Sequence, residues 1–319
     1  MIETNGLPVD KSEILFLYES SYSVPNGDPF TSEQRYDEET KKVLVSDVRI
    51  KRFIRDYFDE LGKVVYVIDR RTNVEGEKGS GSELRINELE RLFKDNAGDE
   101  SATTKAKGKS KGGNALGLMQ QCIDVRLFGG ISTKVGDAVN LTGPVQFALL
   151  NPSLNKVDLR MHQNTSVFSS SEEKSRGAIG TTTVVPYSLN QIHGWINPYS
   201  AKHTKLKQDD VTEMFRALWA SINNANTRSK SNQNSLLLLQ IVYADANKKL
   251  YGVDRLIKLN AEKQEEQIRS SDDYTLDFSK LKEMIDKFEG VKQVNFYTES
   301  PDVRKEIEGA NKFSPMELL

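Results

Sequence analysis

The sequence predicts an α+β fold of the split βαβ, ferredoxin-like type, an arrangement that is also found in RNA-recognition modules. Three observations predict it. Two segments with the order strand, helix, strand lie in different halves of the chain, and two polar insertions lie between them. The chain has 319 residues, of which 37% are hydrophobic, so it can bury a large core in one elaborated domain or two smaller ones.

The first β-α-β unit is predicted within residues 13–68. An apolar run at 14–18 is typical of a buried strand, and a turn follows at 25–29, where two prolines flank an Asn-Gly-Asp sequence. Apolar residues then recur at helical spacing over 46–62, between a Ser-Asp N-cap and a C-terminal glycine. The β-branched run at 64–68 predicts the next strand.

The middle of the chain interrupts this pattern with two insertions. Residues 74–114 are rich in glycine and polar residues, contain one short helix near 84–93, and end in a lysine-rich loop that we expect to be exposed and mobile. Residues 151–187 form a second polar excursion. Between them the pattern predicts a short helix followed by two strands, at 115–122, 122–130 and 142–150.

The second β-α-β unit begins where the second excursion ends. The segment at 178–189 predicts a strand, an amphipathic helix starts at 209, and the run at 235–243 predicts a buried strand. The tail then repeats the order helix and strand at 276–288 and 291–297. These elements complete the split βαβ order.

Composition excludes several classes of protein. The only cysteine, Cys122, cannot form an internal disulfide or a two-cysteine metal knuckle and is predicted to be a small core residue. The longest apolar run, at 236–242, is far shorter than the about 20 residues that span a bilayer, and the first residues lack the pattern of a signal peptide. We therefore expect a cytoplasmic protein with no membrane partner.

Charge is balanced overall but uneven along the chain. The formal net charge is -2, whereas residues 261–319 carry a net charge of -5 and form an acidic C-terminal extension. Net charge alone does not indicate a nucleic-acid partner, so that inference needs a local pattern. No motif for a catalytic nucleophile, a phosphate loop or a histidine metal site is present, so we expect no catalytic residue, no metal and no cofactor.

The predicted helix at 46–62 carries the strongest local pattern. Four cations lie off its apolar stripe near its N-terminus, where free backbone N–H groups also favour anions. This arrangement predicts a grip on consecutive phosphates of a nucleic-acid backbone. The alternative is a solvated basic face that neighbouring aspartates balance. The candidate RNA-binding residues on this helix are Ser46, Arg49, Lys51, Arg52 and Arg55.

The turn before the helix supplies two further candidates, Asn26 and Gly27, although an Asn-Gly pair is also explained by turn geometry alone. Asp28 and the acidic connector after it leave a metal-dependent nuclease open, but five exposed acids are more often only solvated. These acids are Asp28, Glu33, Asp37, Glu38 and Glu39. The lysine-rich loop is either a solubilising linker or a segment that binds a second nucleic-acid strand, as a possible contact to target DNA. The lysines concerned are Lys105, Lys107, Lys109 and Lys111.

Several segments together resemble a known family. The chain contains VPNGDP at 24–29, RYDEET at 35–40, VSDVRIKRFIRDY at 45–57, CIDVRLFGG at 122–130, TGPVQF at 142–147 and WINPYSA at 195–201. In combination these resemble the CRISPR-associated backbone subunit of type I Cascade complexes, in its type I-B branch. The resemblance spans most of residues 13–243.

The resemblance implies an RRM-like palm with inserted fingers and a protruding thumb. It implies copies assembled head to tail in a helical filament along a CRISPR guide RNA, with other Cascade subunits and with target DNA paired to the guide. Mapped onto this chain, it divides the sequence into 1–73 and 191–260 as the two halves of the palm, 74–140 as the fingers-type insertion, 141–190 as a strand plus the thumb-type insertion, and 261–319 as the C-terminal extension.

The resemblance also implies roles for individual residues. The basic helix and the glycine turn would hold guide phosphates, and Arg160, Met161 and His162 are the thumb candidates. A backbone subunit of this kind is not an enzyme. The alternative is a metal-dependent endoribonuclease of the type III backbone kind, which would use Asp28, but here Asp28 stands within NGDP, which is typical of the non-cleaving branch.

Overall fold

The computed structural model describes residues 6–68, 81–95, 114–165 and 179–318, and they form an α+β fold, as predicted. The strands are β1 (Ser12–Ser23), β2 (Tyr36–Asp37), β3 (Lys42–Ser46), β4 (Gly129–Ser132), β5 (Val139–Thr142), β6 (Val145–Phe147), β7 (Leu150–Pro152), β8 (Arg160–Thr165), β9 (Ile179–Ile196), β10 (Gln233–Tyr243), β11 (Lys258–Asn260), β12 (Thr275–Asp277), β13 (Val291–Tyr297) and β14 (Phe313–Pro315). The helices are α1 (Asp47–Glu60), α2 (Ser82–Asp95), α3 (Ala115–Gln121), α4 (Ile123–Phe128), α5 (Pro198–Thr204), α6 (Gln208–Asn223), α7 (Ser279–Lys287) and α8 (Pro301–Ile307). Each of these helices is too short or too polar to cross a bilayer.

One seven-stranded sheet organises the fold. Its strand order is β14-β13-β10-β1-β9-β6, and β8 pairs with β9 beside this path. Every pair is antiparallel except β13 with β14. The central strand β1 is the apolar segment that the sequence singled out, and its Phe16 lies between Ile192 of β9 and Leu238 of β10.

The two faces of this sheet are both buried. Because side chains alternate along a strand, Phe16 and Tyr18 of β1 pack in the core that contains α1 and α6, whereas Leu15 and Leu17 pack on the opposite face. The chain beyond residue 250, including α7 and α8, covers that opposite face. β13 also extends the sheet beside β10, so much of the acidic C-terminal segment is part of the main layer.

Most predicted elements are confirmed. The strands β1, β9, β10 and β13 and the helices α1, α2, α3, α6 and α7 lie where periodicity predicted them, with ends that differ by a few residues. β9 continues through residue 196, well past the predicted end. Domain boundaries within these elements stay predictions.

The strand predicted at 64–68 is wrong. This segment is irregular, and the backbone N–H groups of Tyr66 and Val67 donate to the carboxylate of Asp124 at 2.7 and 3.0 Å. Asp124 is fully buried, so these donors satisfy its charge and are not free to join a strand ladder. A contact nearly 60 residues away therefore overrides a local β preference.

The strand predicted at 122–130 is also wrong over most of its length. Residues 123–128 form α4, and only the glycines continue into β4. Val125 packs in one core cluster while Ile123 and Leu127 pack in another, so α4 is apolar on two sides. Such a run has no visible helical period and resembles a buried strand.

The segment at 142–150 holds two short strands in place of one. Its first part, β6, pairs with β9, whereas β7 begins at Leu150 and pairs with β3. Gly143 before β6 passes so close to the backbone that an added Cβ would lie 2.0 Å from the carbonyl carbon of Phe128. This close approach requires a glycine.

Candidate nucleic-acid interface

Asn26 joins the turn after β1 to the start of α1. Its side chain is buried, and its Oδ1 accepts a hydrogen bond from the backbone N–H of Ser46 at 2.6 Å. Its own backbone N–H donates to the side-chain oxygen of Gln34 at 2.9 Å. Asn26 therefore positions the turn against the N-terminus of α1, and its contacts within the chain are structural.

Gly27 follows Asn26 in the turn and is partly exposed. Its backbone does not have the positive φ that favours glycine, and an added Cβ would meet only ordinary contacts of 3.5 Å to Ser32 and 3.6 Å to Val24. Turn geometry therefore does not explain this glycine. The absence of a side chain leaves a flat surface that another backbone can approach.

Three polar groups near the start of α1 have no hydrogen-bond partner among the described residues. They are the hydroxyls of Ser46 and Tyr18 and Nε of Arg49, all with negligible exposure. The Arg49 guanidinium lies 3.8 Å from the ring centroid of Phe53, and burial lowers its pKa. Buried donors are normally satisfied, so these groups indicate a missing acceptor.

Lys230 is a neighbour of Arg49 that the sequence analysis missed. It lies in the loop between α6 and β10, where its Nζ donates to the carbonyl of Val24 at 2.5 Å and to Ser229 Oγ at 3.3 Å. Burial, and second the positive charge of Arg49, lower the pKa of Lys230 to about 8. Over the ranges that the structure describes, neither cation has an ion-pair partner within 4.0 Å. The only local sequence signal is a pair of cations, Arg228 and Lys230, in a polar loop.

Two of the predicted RNA-binding cations make internal contacts instead. Lys51 donates to Asp47 at 3.3 Å and to Gln146 at 3.0 Å, and burial lowers its pKa. Arg55 pairs with the buried carboxylate of Asp124 at 3.0 Å. The structure therefore does not bring all four cations of α1 to one open face.

Arg52 is more accessible. Its side chain is 43% exposed and pairs with Asp56, one turn further along α1, at 2.5 Å. An exposed pair of this kind contributes little and exchanges readily for another anion. Arg49 and Arg52, together with Lys230 and the Asn26-Gly27 turn, are thus the groups that can face an outside strand.

The thumb candidates lie on a hairpin. Arg160, Met161 and His162 are exposed residues of β8, which pairs with the start of β9, and Met161 is 77% exposed. At the base of the hairpin, Val157 and Val185 pack with Val43 of β3. These candidates therefore lie on a strand that pairs with β9, and in the sequence they are about 100 residues from α1.

Asp28 is held by its own turn. Its carboxylate accepts from the backbone N–H groups of Phe30 at 2.9 Å and Thr31 at 3.3 Å, and it pairs with Arg35 at 3.0 Å. The Phe30 N–H contributes most to lowering the pKa of Asp28. Across the described segments, no three His, Cys, Asp or Glu residues are placed to bind a metal ion together. The four candidate lysines, Lys105, Lys107, Lys109 and Lys111, lie outside the described residues.

The chain is similar to known proteins in both sequence and fold. The family model described as "CRISPR-associated protein Cas7" matches residues 10–279. A protein of Haloferax volcanii, "CRISPR-associated protein Cas7", is 28% identical over 300 residues, which cover 88% of this chain and 84% of that protein.

Two solved structures resemble the fold. A chain of a "CRISPR RNA-guided surveillance complex, pre-nicking" has a TM-score of 0.55 at 12% identity and covers 96% of both chains. A chain of a "CRISPR RNA-guided surveillance complex" has a TM-score of 0.52 at 13% identity and covers 95% of this chain and 94% of its own. At these identities the likeness concerns the fold.

Proposed function

Because this chain belongs to the Cas7 family of CRISPR-associated proteins, we propose that it is the backbone subunit of a type I, I-B-like, CRISPR RNA-guided surveillance complex. In this function it binds the phosphates of a guide RNA without reading the bases. It polymerises head to tail along the guide in the cytoplasm and presents the guide to target DNA together with other subunits. It cuts no nucleic acid itself.

One observation carries the proposal. Near the start of α1, Arg49 and Lys230 are neighbouring cations that form no ion pair within 4.0 Å among the described residues, although Asp56 acts on the charge of Arg49 from further away, and they lie beside the buried hydroxyls of Ser46 and Tyr18. A phosphate oxygen would supply both the hydrogen-bond acceptor and the negative counter-charge for these donors. A helix N-terminus adds to the same preference.

The strand order supports an RRM-like palm. In chain order β1, α1, β6, β9, α6 and β10 form two β-α-β units, and in the sheet their strands follow the order β10-β1-β9-β6. This is the order of the split βαβ fold, with α1 and α6 on one face. The fingers would then be the segment between α1 and β6, and the thumb would include the β8–β9 hairpin.

The covered sheet explains why the RNA would lie elsewhere than in an RNA-recognition module. Those modules stack bases on an open sheet face. Here the residues beyond 250 bury that face, so we place the RNA at the edge where β1 ends and α1 begins. Contacts at this edge are to phosphates, which suits a subunit that is used repeatedly along one guide and leaves sequence reading to base pairing.

The proposal is tested by the binding of a labelled guide RNA over a range of salt concentrations. We expect the logarithm of the affinity to fall with the logarithm of salt by about 0.7 per phosphate neutralised. Arg49→Ala should lower both the affinity and this slope. Lys292→Ala is the matched control, since Lys292 is an exposed cation on β13 that pairs with Asp10. A salt-independent affinity, or equal losses in both variants, would contradict the proposal.

The alternative function is a metal-dependent endoribonuclease that uses Asp28. It predicts that complementary RNA paired to the guide is cut at regular intervals in the presence of Mg²⁺, and that Asp28→Asn abolishes the cuts. The contacts of Asp28 favour the scaffold, because its carboxylate already caps a turn and pairs with Arg35. Intact RNA after incubation would support this preference.

A further inference from the structure

We infer that the loop between α6 and β10, residues 224–232, is a second RNA-contacting element, and that Lys230 and Arg49 hold one phosphodiester of the strand between them. This inference rests on the proposed function and extends it to a loop for which the family resemblance implied no RNA contact. The ligand is one backbone phosphate of a single-stranded RNA.

The position of the loop is fixed by backbone hydrogen bonds to the end of β1. Val24 donates to the carbonyl of Ser229 at 2.8 Å, and Ser21 donates to the carbonyl of Asn232 at 2.9 Å. The loop therefore lies directly beside the turn that contains Gly27. A strand that passes over this turn meets α1 on one side and the loop on the other.

The hydrogen-bonding capacity of Lys230 leaves room for a ligand. A lysine ammonium has three N–H donors, and here two of them are accounted for by the carbonyl of Val24 and by Ser229 Oγ. The third donor has no acceptor among the residues that the structure describes. The contact with Val24 holds the ammonium at the turn and limits the entropy that it would lose on binding.

Electrostatics point to an anion at the same place. The charge of Arg49 acts directly on Lys230, so the two cations repel each other in the RNA-free protein. The hydroxyl of Tyr18 is fully buried next to Arg49 and lacks an acceptor in the described part of the chain. A single phosphate would neutralise the repulsion and accept from both cations.

The simplest competing explanation is a structural lysine that only ties the loop to the turn. The two explanations differ in what removing the charge does to RNA binding. Lys230→Met keeps the aliphatic stem and removes the ammonium, whereas Lys230→Arg keeps the charge. Lys292→Met removes the charge of an exposed lysine elsewhere on the molecule and is the control.

The test measures guide RNA affinity and its salt slope for these variants, with thermal unfolding as the check on folding. We expect Lys230→Met to bind about 10-fold more weakly and to lose about 0.7 of the salt slope, which corresponds to one phosphate contact. Lys230→Arg should restore the slope, and Lys292→Met should behave as the wild type. Wild-type affinity and slope in Lys230→Met would overturn the inference.

A second measurement on the wild-type protein does not depend on how the variants fold. Acylation of lysine amines by a water-soluble ester, followed by peptide mass analysis, reports which amines RNA covers. We expect RNA to protect Lys230 and to leave Lys292 unchanged; equal reactivity of Lys230 with and without RNA would overturn the inference. Guide RNA that binds but does not protect Lys230 refutes this inference alone, whereas a protein that binds no guide RNA refutes the proposed function as well.

Discussion

Replacing Arg55 and Arg52 separately should produce opposite defects, although both are cations of one helix. Arg55→Ala removes the ion-pair partner of Asp124, whose carboxylate is completely buried. Arg52→Ala removes only an exposed pair with Asp56, in which both side chains are 43% exposed. We expect Arg55→Ala to destabilise the fold and Arg52→Ala to weaken RNA binding.

The magnitude follows from what remains around Asp124. Breaking a buried ion pair costs about 3–5 kcal/mol, because it leaves a charge without its partner. Asp124 keeps two backbone donors, from Tyr66 and Val67, so we expect the lower end, about 3 kcal/mol. An exposed pair spaced four residues apart on a helix contributes only about 0.3–0.5 kcal/mol, so Arg52→Ala should leave stability nearly unchanged.

Urea unfolding followed by tryptophan fluorescence measures this difference, since Trp219 is completely buried in the core beside α1. The double variant Arg55→Ala with Asp124→Asn should recover part of the loss, because it removes the unpaired charge. Equal unfolding midpoints for Arg55→Ala and Arg52→Ala would refute the structural role of Arg55. If Arg55→Ala is fully stable but no longer binds RNA, Arg55 is a phosphate-binding residue.

Three further predictions address the turn and the loop. Guide RNA affinity should weaken as the pH rises from about 7 to 9, because Lys230 loses its charge through a pKa of about 8 while Arg49 stays protonated. Lys230→Arg should remove this pH dependence; if the variant keeps it, another group titrates. Gly27→Ala should unfold at or slightly above the wild-type temperature yet bind RNA more weakly, since its Cβ meets only ordinary contacts within the chain; unchanged RNA affinity would show that no backbone approaches Gly27. Asn26→Ala should lower the free energy of unfolding by about 1–3 kcal/mol, because the buried N–H of Ser46 loses its acceptor. Wild-type stability in a denaturant titration would contradict this structural role of Asn26.

The sequence was sufficient wherever apolar spacing decides the structure. β1, α1, α6 and β10 each bury one stripe or one run, and periodicity alone located them. The strand predictions failed at 64–68 and 123–128, two segments that contact each other through Asp124. Pairing between backbone donors and a buried carboxylate nearly 60 residues away has no signature in local spacing.

The candidate site shows the same division. Helical spacing correctly placed Lys51 and Arg55 off the main apolar stripe, but it cannot show which residues contact them. Lys51 donates to Gln146, 95 residues further along the chain, and Arg55 donates to Asp124, 69 residues further along. Lys230 was missed for the opposite reason. It has no motif, and only the pairing of β1 with β10 brings its loop to the start of α1.

The size and nucleic-acid content of the protein expressed alone test the central claim most directly. Size-exclusion chromatography before and after ribonuclease treatment, with the ratio of nucleic-acid to protein absorbance recorded for each peak, separates RNA-templated assembly from a free chain. The account predicts an oversized, RNA-rich species that shrinks on digestion toward the 36.0 kDa monomer, and a loss of that species in Arg49→Ala but not in Lys292→Ala. A monomer free of nucleic acid that also fails to assemble on an added guide RNA would contradict it.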